Sequence, residues 1–503
     1  MSNNFFHSLR NFITGVLSTA VTIVVPFIAR TFIIRFMGEE YLGVNSLFTS
    51  IFEVINLANL GFSASIAAFL YKPIVNNDVD HVNSLLRFLT RVNHFIGAVV
   101  TIVGIFVYFN LDIFVKSALP VDVSLQLLFI IYLLDLLLSY FFKSYTTILL
   151  NALNRADVWC ISNTISRIVF GSFQLLIIVF IKRIEFYVLM TAFVSITNRI
   201  YSIYYCDKYY PVYKPRGNVS CYEKKKVFRD SLALGLQKIG ALLSTSLDNI
   251  VIANCIDLVT VARYGNYNYI LQAITIFIQT ISKSIITSVG YKVASKEKNN
   301  AYDEFHMINS FYLSMISIFI ICYYSCVQNF VYIWTGNKLF AREIVLLLSL
   351  NFFFLQSRSV ISLFKDVNGI WWRDRYRPIV GGVINFTLNI ILVQYIGLAG
   401  VIISTIFSVV FVELPWEAFA LFNKESISDF KRFIYLVFKA LVVTLFGIAL
   451  CDLLLRDFSY TILNLFLRGF MSLIIAVLIV VLSNLKNTYF IDLLYFFKRK
   501  LKL

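Results

Sequence analysis

Seven charged side chains, Arg30, Glu53, Asp135, Arg167, Asp248, Lys283 and Arg358, sit inside stretches otherwise fit for hydrocarbon, and polar residues recur around them at helical spacing. Residues three or four apart share a helix face. By that rule Thr19, Pro26 and Arg30 fall on one face of a first helix, and Asn45, Thr49, Glu53, Asn56 and Ser63 on one face of a second. A fourth helix aligns Asp135, Ser139 and Thr146, and a fifth aligns Asn163, Arg167 and Gln174. Further along, Gln237, Ser244 and Asp248 align, with Lys238 to one side; Asn268, Gln272, Gln279 and Lys283 form the next stripe, and Asn351, Arg358, Ser362 and Lys365 another. Arginine can grip phosphate or carboxylate oxygens in a planar fork, whereas lysine offers a mobile point charge. The chemistry these stripes suit is therefore the holding of an anion.

Each such charge facing lipid would cost about 2.5 to 3.5 kcal/mol, and seven together roughly 20 kcal/mol, more than a typical folding free energy. The seven must face one another or a common wet cavity. The expected cavity set is Arg30, Arg167, Lys238, Gln272, Gln279, Lys283 and Arg358, with Glu53, Asp135 and Asp248 as charge partners or ion-coupling groups. Arg35, Arg263 and Lys365 lie near the ends of spans, where long cationic side chains can snorkel to water. Arg167, Lys283 and Arg358 fall in the inner half of their spans, so the cavity is expected to be cationic at its inner mouth and to suit an anionic cargo loaded from the cytoplasm.

The elements that position these residues follow from composition. The chain is 59% hydrophobic and only 14% charged over 503 residues, with a mean hydropathy of +0.78, which places it among polytopic membrane proteins. A spanning helix needs about 20 apolar residues. Fourteen candidates begin near residues 12, 41, 92, 123, 160, 184, 231, 260, 304, 342, 378, 397, 433 and 461, and the short connections leave no room for a soluble domain. With the N-terminus inside, the inner segments hold 29 Lys and Arg and the outer turns 8, so both termini are expected in the cytoplasm. The net charge of +16 is mostly this topological signal and not a nucleic-acid footprint.

The fold expected is an all-α polytopic membrane protein with about 14 transmembrane helices: two six-helix bundles around a central cavity plus two C-terminal helices. The bundles would occupy residues 1–206 and 231–422, joined by a basic cytoplasmic linker at 207–230, "DKYYPVYKPRGNVSCYEKKKVFRD". The additional helices would occupy 423–485, and 486–503 would form an amphipathic basic tail on the inner leaflet. Weak echoes relate the halves: "YLGVN" with "RYGNY", Tyr71-Lys72-Pro73 with Tyr291-Lys292-Val293, and "NALNRADVW" with "DVNGIWW". Six helices per half is an even number, so the halves should insert in parallel.

Several chemistries lack their residues. The seven cysteines show no metal spacing, and the four histidines are isolated near span ends. No Gly-rich lysine loop is present to bind ATP. A polysaccharide polymerase or ligase would need a large outer loop, and the largest outer turn is about a dozen residues. No cofactor, metal or enzymatic activity is expected. A multidrug exporter would favour an acidic, aromatic cavity, whereas this set holds four basic and three acidic members.

The segment "EEYLGVNSLFTSIFEVINLANLGFSASIAAFLYKPI", Glu39 to Ile74, resembles the bacterial polysaccharide transporters, flippases of O-antigen and capsule repeat units in the superfamily that also holds the multidrug exporters and lipid II flippases. The likeness is best in the N-terminal half, at Leu42-Gly43, at Leu57–Ile66 and at Tyr71–Pro73. It implies alternating access and a cargo of undecaprenyl-pyrophosphate-linked oligosaccharide, moved to the outer leaflet of the cytoplasmic (inner) membrane, with ion-gradient coupling as a further option. It also implies that Arg30 contacts the pyrophosphate or a sugar acid, since related flippases carry a first-helix arginine. The partners it implies are the lipid-linked oligosaccharide, membrane lipids, and the polysaccharide polymerase and chain-length machinery.

Overall fold

The computed structural model describes residues 2–56, 62–111, 120, 122–293, 301–336, 338–367, 373–422, 427–455 and 459–485. All regular structure among them is helical. Eight helices lead up to the central connection: α1 (Ser2–Phe36), α2 (Glu39–Ile55), α3 (Phe62–Val75), α4 (Val79–Phe109), α5 (Leu125–Phe141), α6 (Tyr145–Ala152), α7 (Ala156–Leu176) and α8 (Ile184–Tyr209). Ten follow it: α9 (Cys221–Cys255), α10 (Leu258–Val293), α11 (Ala301–Thr335), α12 (Arg342–Ser357), α13 (Ser359–Val367), α14 (Arg377–Ile396), α15 (Leu398–Ser408), α16 (Leu414–Leu421), α17 (Ile427–Leu454) and α18 (Ile462–Asn484).

Each of the fourteen predicted segments coincides with a helix, but nine helices among the described residues are long and apolar enough to cross a membrane, or ten if the bent pair α5 and α6 is one span. The count of fourteen is therefore not reached on length and apolarity. The reasons are physical: α2 has only 17 residues, and α8, α9 and α10 carry charged and polar residues that dilute the apolar run. The chain is a multi-pass helical membrane protein.

The breaks between helices have local causes. α5 and α6 meet at 57°, where Lys143 takes a positive φ of 39°, a region costly for a side chain with Cβ. Ser124 caps α5 and Asp78 caps α4 by accepting the Leu127 and His81 N–H groups. Between α15 and α16 a five-residue π-turn, Val409–Glu413, precedes Pro415, whose missing N–H and ring clash with the preceding turn disfavour a regular α-helix.

Two compact units result, Met1–Ala262 and Arg263–Leu503. In the first, α9 packs on α2 and α3: Ser246 Oγ donates to Glu53 at 2.6 Å and Asn249 Nδ2 to Ser50 Oγ at 3.0 Å. Gly43 makes a close approach possible here, since a Cβ on it would lie 2.1 Å from the Leu258 carbonyl oxygen. The basic connection is fastened rather than loose. Asn83 holds it from both sides, donating to the Val212 carbonyl at 3.2 Å and accepting the Lys214 N–H at 2.7 Å; Arg87 reaches Gly217 O at 3.0 Å. Val219 and Val227 complete the apolar core beneath it with Leu85, Leu86, Leu149 and Cys206. In the second unit α11 is the buried centre, contacted by α12, α17 and α18. The predicted tail, 486–503, lies outside the described residues.

Candidate functional site: a cationic cleft and a buried ion cluster

A cleft of about 350 Å³ opens within the first unit, of a size that accommodates a small ligand. α4 supplies Asn93; the break after α5 supplies Lys143 and Ser144; α7 supplies Trp159, Asn163 and Arg167; and α8 supplies Ser195, Asn198 and Arg199. No carboxylate is among its lining residues. Its polar wall is ordered by hydrogen bonds. Asn163 Nδ2 donates to Ser18 Oγ at 3.0 Å and Thr22 Oγ1 at 3.3 Å, and its carbonyl oxygen accepts from Arg167 Nε at 3.1 Å and Asn198 Nδ2 at 3.3 Å. Ser162 Oγ donates to Asn198 Oδ1 at 2.7 Å. One amide thus ties α1, α7 and α8 together and aims a guanidinium. Asp135 stands behind the wall, accepting from Ser195 Oγ at 3.4 Å and within electrostatic reach of Arg199. Lys143 pairs with Asp207 at 2.8 Å. Arg30 and Arg167 both lie within electrostatic reach of the Tyr187 hydroxyl.

Arg358 has a different setting. In the second unit it belongs to a cluster of three cations and three carboxylates. Its Nη1 lies 2.5 Å from Glu413 and its Nε 3.0 Å from Glu417. Lys365 pairs with Asp374 and, at 2.9 Å, with Glu417. Arg377 reaches Asp374 at 2.9 Å, Glu413 at 2.8 Å and Glu417 at 3.6 Å, and Ser362 Oγ donates to Glu417 at 2.5 Å. Glu413 and Glu417 are four apart and share a face where the π-turn meets α16. Gly381 lets that face come close, because a Cβ there would lie 2.7 Å from Glu413 Cγ. Lys365, expected to snorkel to an interface, is instead 2% exposed; its two carboxylate partners, Asp374 and Glu417, satisfy its charge in place of water.

The remaining expected residues lie outside these two networks among the described contacts. Glu53 accepts from Ser246 and is exposed; Asp248 is buried on α9; Gln272 and Gln279 are exposed on α10. The side chains of Lys238 and Lys283 lie outside the described residues. Residues not singled out in the sequence complete both sites. Arg199 is one, and Ser195, Asn198 and Ser202 share its stretch of helix. Glu413 and Glu417 stand one turn apart in "FVELPWEAF", a signal of the same kind as the other stripes.

The helices and the two polar networks held at their depth define a multi-pass helical membrane protein that keeps charged groups inside its spans. The chain belongs to the polysaccharide biosynthesis protein family, whose sequence profile matches residues 8–286. Among solved structures it is similar to the lipid II flippase MurJ in an inward closed conformation, with a TM-score of 0.67 and 15% identity over 97% of this chain and 100% of that one. It is also similar to a multidrug resistance MATE family transporter of the MOP superfamily in an inward-facing conformation, with a TM-score of 0.55 and 14% identity over 83% of this chain and 99% of the other. A MATE structure in a bent conformation matches with a TM-score of 0.53 and 14% identity, over 85% and 96%. No curated protein sequence matches the chain. At these identities the structures establish the fold.

Proposed function

We propose that the protein is a flippase that moves undecaprenyl-pyrophosphate-linked oligosaccharide repeat units, of the O-antigen or capsule type, from the cytoplasmic to the outer leaflet of the bacterial cytoplasmic membrane. Both termini are then cytoplasmic, in line with the 29 to 8 distribution of basic residues. The observation that carries the reading is the cleft: Lys143, Arg167 and Arg199 line it with amides and hydroxyls and without a carboxylate. Arginines suit phosphate or sugar-acid oxygens, and amides and hydroxyls suit sugar hydroxyls. Asp135, behind Ser195, is the group best placed to answer an ion gradient; Glu53 and Asp248 are further charge partners. Within this reading transport is by alternating access, and the polysaccharide polymerase and chain-length machinery take the product. The same fold also serves multidrug export, but a cleft whose lining holds three cations and no carboxylate is a poor host for a cationic drug.

The test is complementation of a deletion strain. Arg167→Ala should express at wild-type level, since removing a membrane-depth charge lowers its insertion cost. It should nevertheless fail to restore surface polysaccharide, with lipid-linked repeat units accumulating on the cytoplasmic side. Normal export by a well-expressed Arg167→Ala protein would exclude the cleft as the cargo site.

A further inference from the structure

Past the first two turns of α17, the last two spans hold two cations, and these belong to neither site. Arg468 on α18 is held within the protein, donating to the Leu455 carbonyl at 2.5 Å and the Ser325 carbonyl at 3.3 Å. Lys439 on α17 is not matched in that way. Its ammonium carries three donors, and the acceptor it meets among the described residues is the neutral Asn484 Oδ1 at 3.0 Å. Asn484 Nδ2 in turn donates to Ser314 Oγ at 3.3 Å, so the ammonium is held in place by a chain of neutral groups. Lys439 faces a crevice of about 20 Å³ between α11, α17 and α18, lined also by Ser310, Ser314, Ser317 and Ser483.

The depth of this ammonium follows from helix length. α18 has 23 residues, about 34 Å at 1.5 Å per residue, slightly more than the roughly 30 Å hydrocarbon core. If α18 crosses the bilayer, its last residue, Asn484, falls near the hydrocarbon boundary, and the Lys439 side chain, from the thirteenth of the 28 residues of α17, reaches to that residue. The surrounding wall is apolar and outward-facing: Tyr435, Phe438 and Leu482 are 62%, 64% and 65% exposed. A crevice of this volume admits roughly one water-sized atom, which excludes a sugar ring. What fits is a ligand that presents a single charged oxygen at the mouth while its apolar body lies along the wall.

We propose that Lys439 binds the phosphate of an anionic bilayer lipid at the crevice between α11, α17 and α18, with Asn484 and Ser314 fixing the ammonium. This site is independent of the flippase reading, and its test does not use transport. The full-length protein, purified in detergent with an equimolar mixture of phosphatidylglycerol and phosphatidylethanolamine, should retain phosphatidylglycerol preferentially in native mass spectrometry. Lys439→Met should reduce that preference about fivefold, the effect of one basic side chain at a membrane surface, and Lys439→Arg should keep it. Equal retention by Lys439→Met, or no preference in the wild type, would overturn the proposal. Displacement of the lipid by millimolar inorganic phosphate would also overturn it, since the site would then hold a free anion.

Discussion

The ion cluster of the second unit and the cleft of the first gather similar numbers of cations at membrane depth, yet their surroundings differ in kind. Arg358, Lys365 and Arg377 each touch two or more of Asp374, Glu413 and Glu417 within 3.6 Å. The carboxylates are fully saturated, formal charges cancel, and Glu417 is 0% exposed. In the cleft, the arginine that most clearly lines the wall is oriented by an asparagine oxygen, and carboxylates stand behind the lining instead of in it. Arg167 is oriented by a neutral amide oxygen, whereas Arg358, Lys365 and Arg377 are each placed by two or three carboxylates. The second arrangement ties α13, the turn before α14, and the π-turn with α16 into one body.

The largest effect that separates the two is expected at Glu417. Glu417→Gln leaves Arg358 and Lys365 short of a partner in a buried site, a class of change that costs about 3 to 5 kcal/mol. Membrane-inserted protein should fall to a small fraction of wild type on immunoblots, and Glu417→Gln with Lys365→Met should recover much of it. A normal level of the single variant would mean that the cluster is not holding the second unit together. Next in size is Arg199→Ala. Its level should stay normal, while export in a complementation assay falls about tenfold or more, the loss expected for a charge-assisted hydrogen bond of about 1.5 to 3 kcal/mol. Loss of protein without loss of specific activity would move Arg199 from the cleft's function to its architecture.

Helical periodicity made the stripes legible. Asn163 and Arg167 do share a face, and that face does line a polar cleft with the face of α8 that bears Ser195, Asn198 and Arg199. What periodicity cannot convey is which face meets which. Arg358 pairs with Glu417, 59 positions away, and Lys365 with the same residue 52 positions away; nothing in either stripe names its partner. The same limit explains Lys365, whose place near a span end suggested water when a turn of chain at Asp374 covers it. Sequence also displays a helix by its apolar content, so α8, α9 and α10, whose lengths carry charged and polar groups, fall short of the spanning criterion, as the 17-residue α2 does by length.

The smallest predicted effect is the sharpest on the comparison, because it keeps every charge. Arg377 uses three nitrogens for three carboxylates: Nε for Asp374, Nη1 for Glu413 and Nη2 for Glu417. Lysine concentrates its charge on one atom and cannot span that fork. Arg377→Lys should therefore lower the thermal stability of the detergent-solubilised protein measurably, by an amount on the order of one lost charge-assisted hydrogen bond, about 1.5 to 3 kcal/mol. In the cleft the same exchange meets open volume and one carboxylate, Asp135, which a mobile ammonium can still reach. Arg199→Lys should leave the melting temperature unchanged and retain part of the export activity. If both exchanges shift the melting temperature alike, the cleft is packed as tightly as the cluster, and the distinction between a held charge and an available one does not apply to this protein.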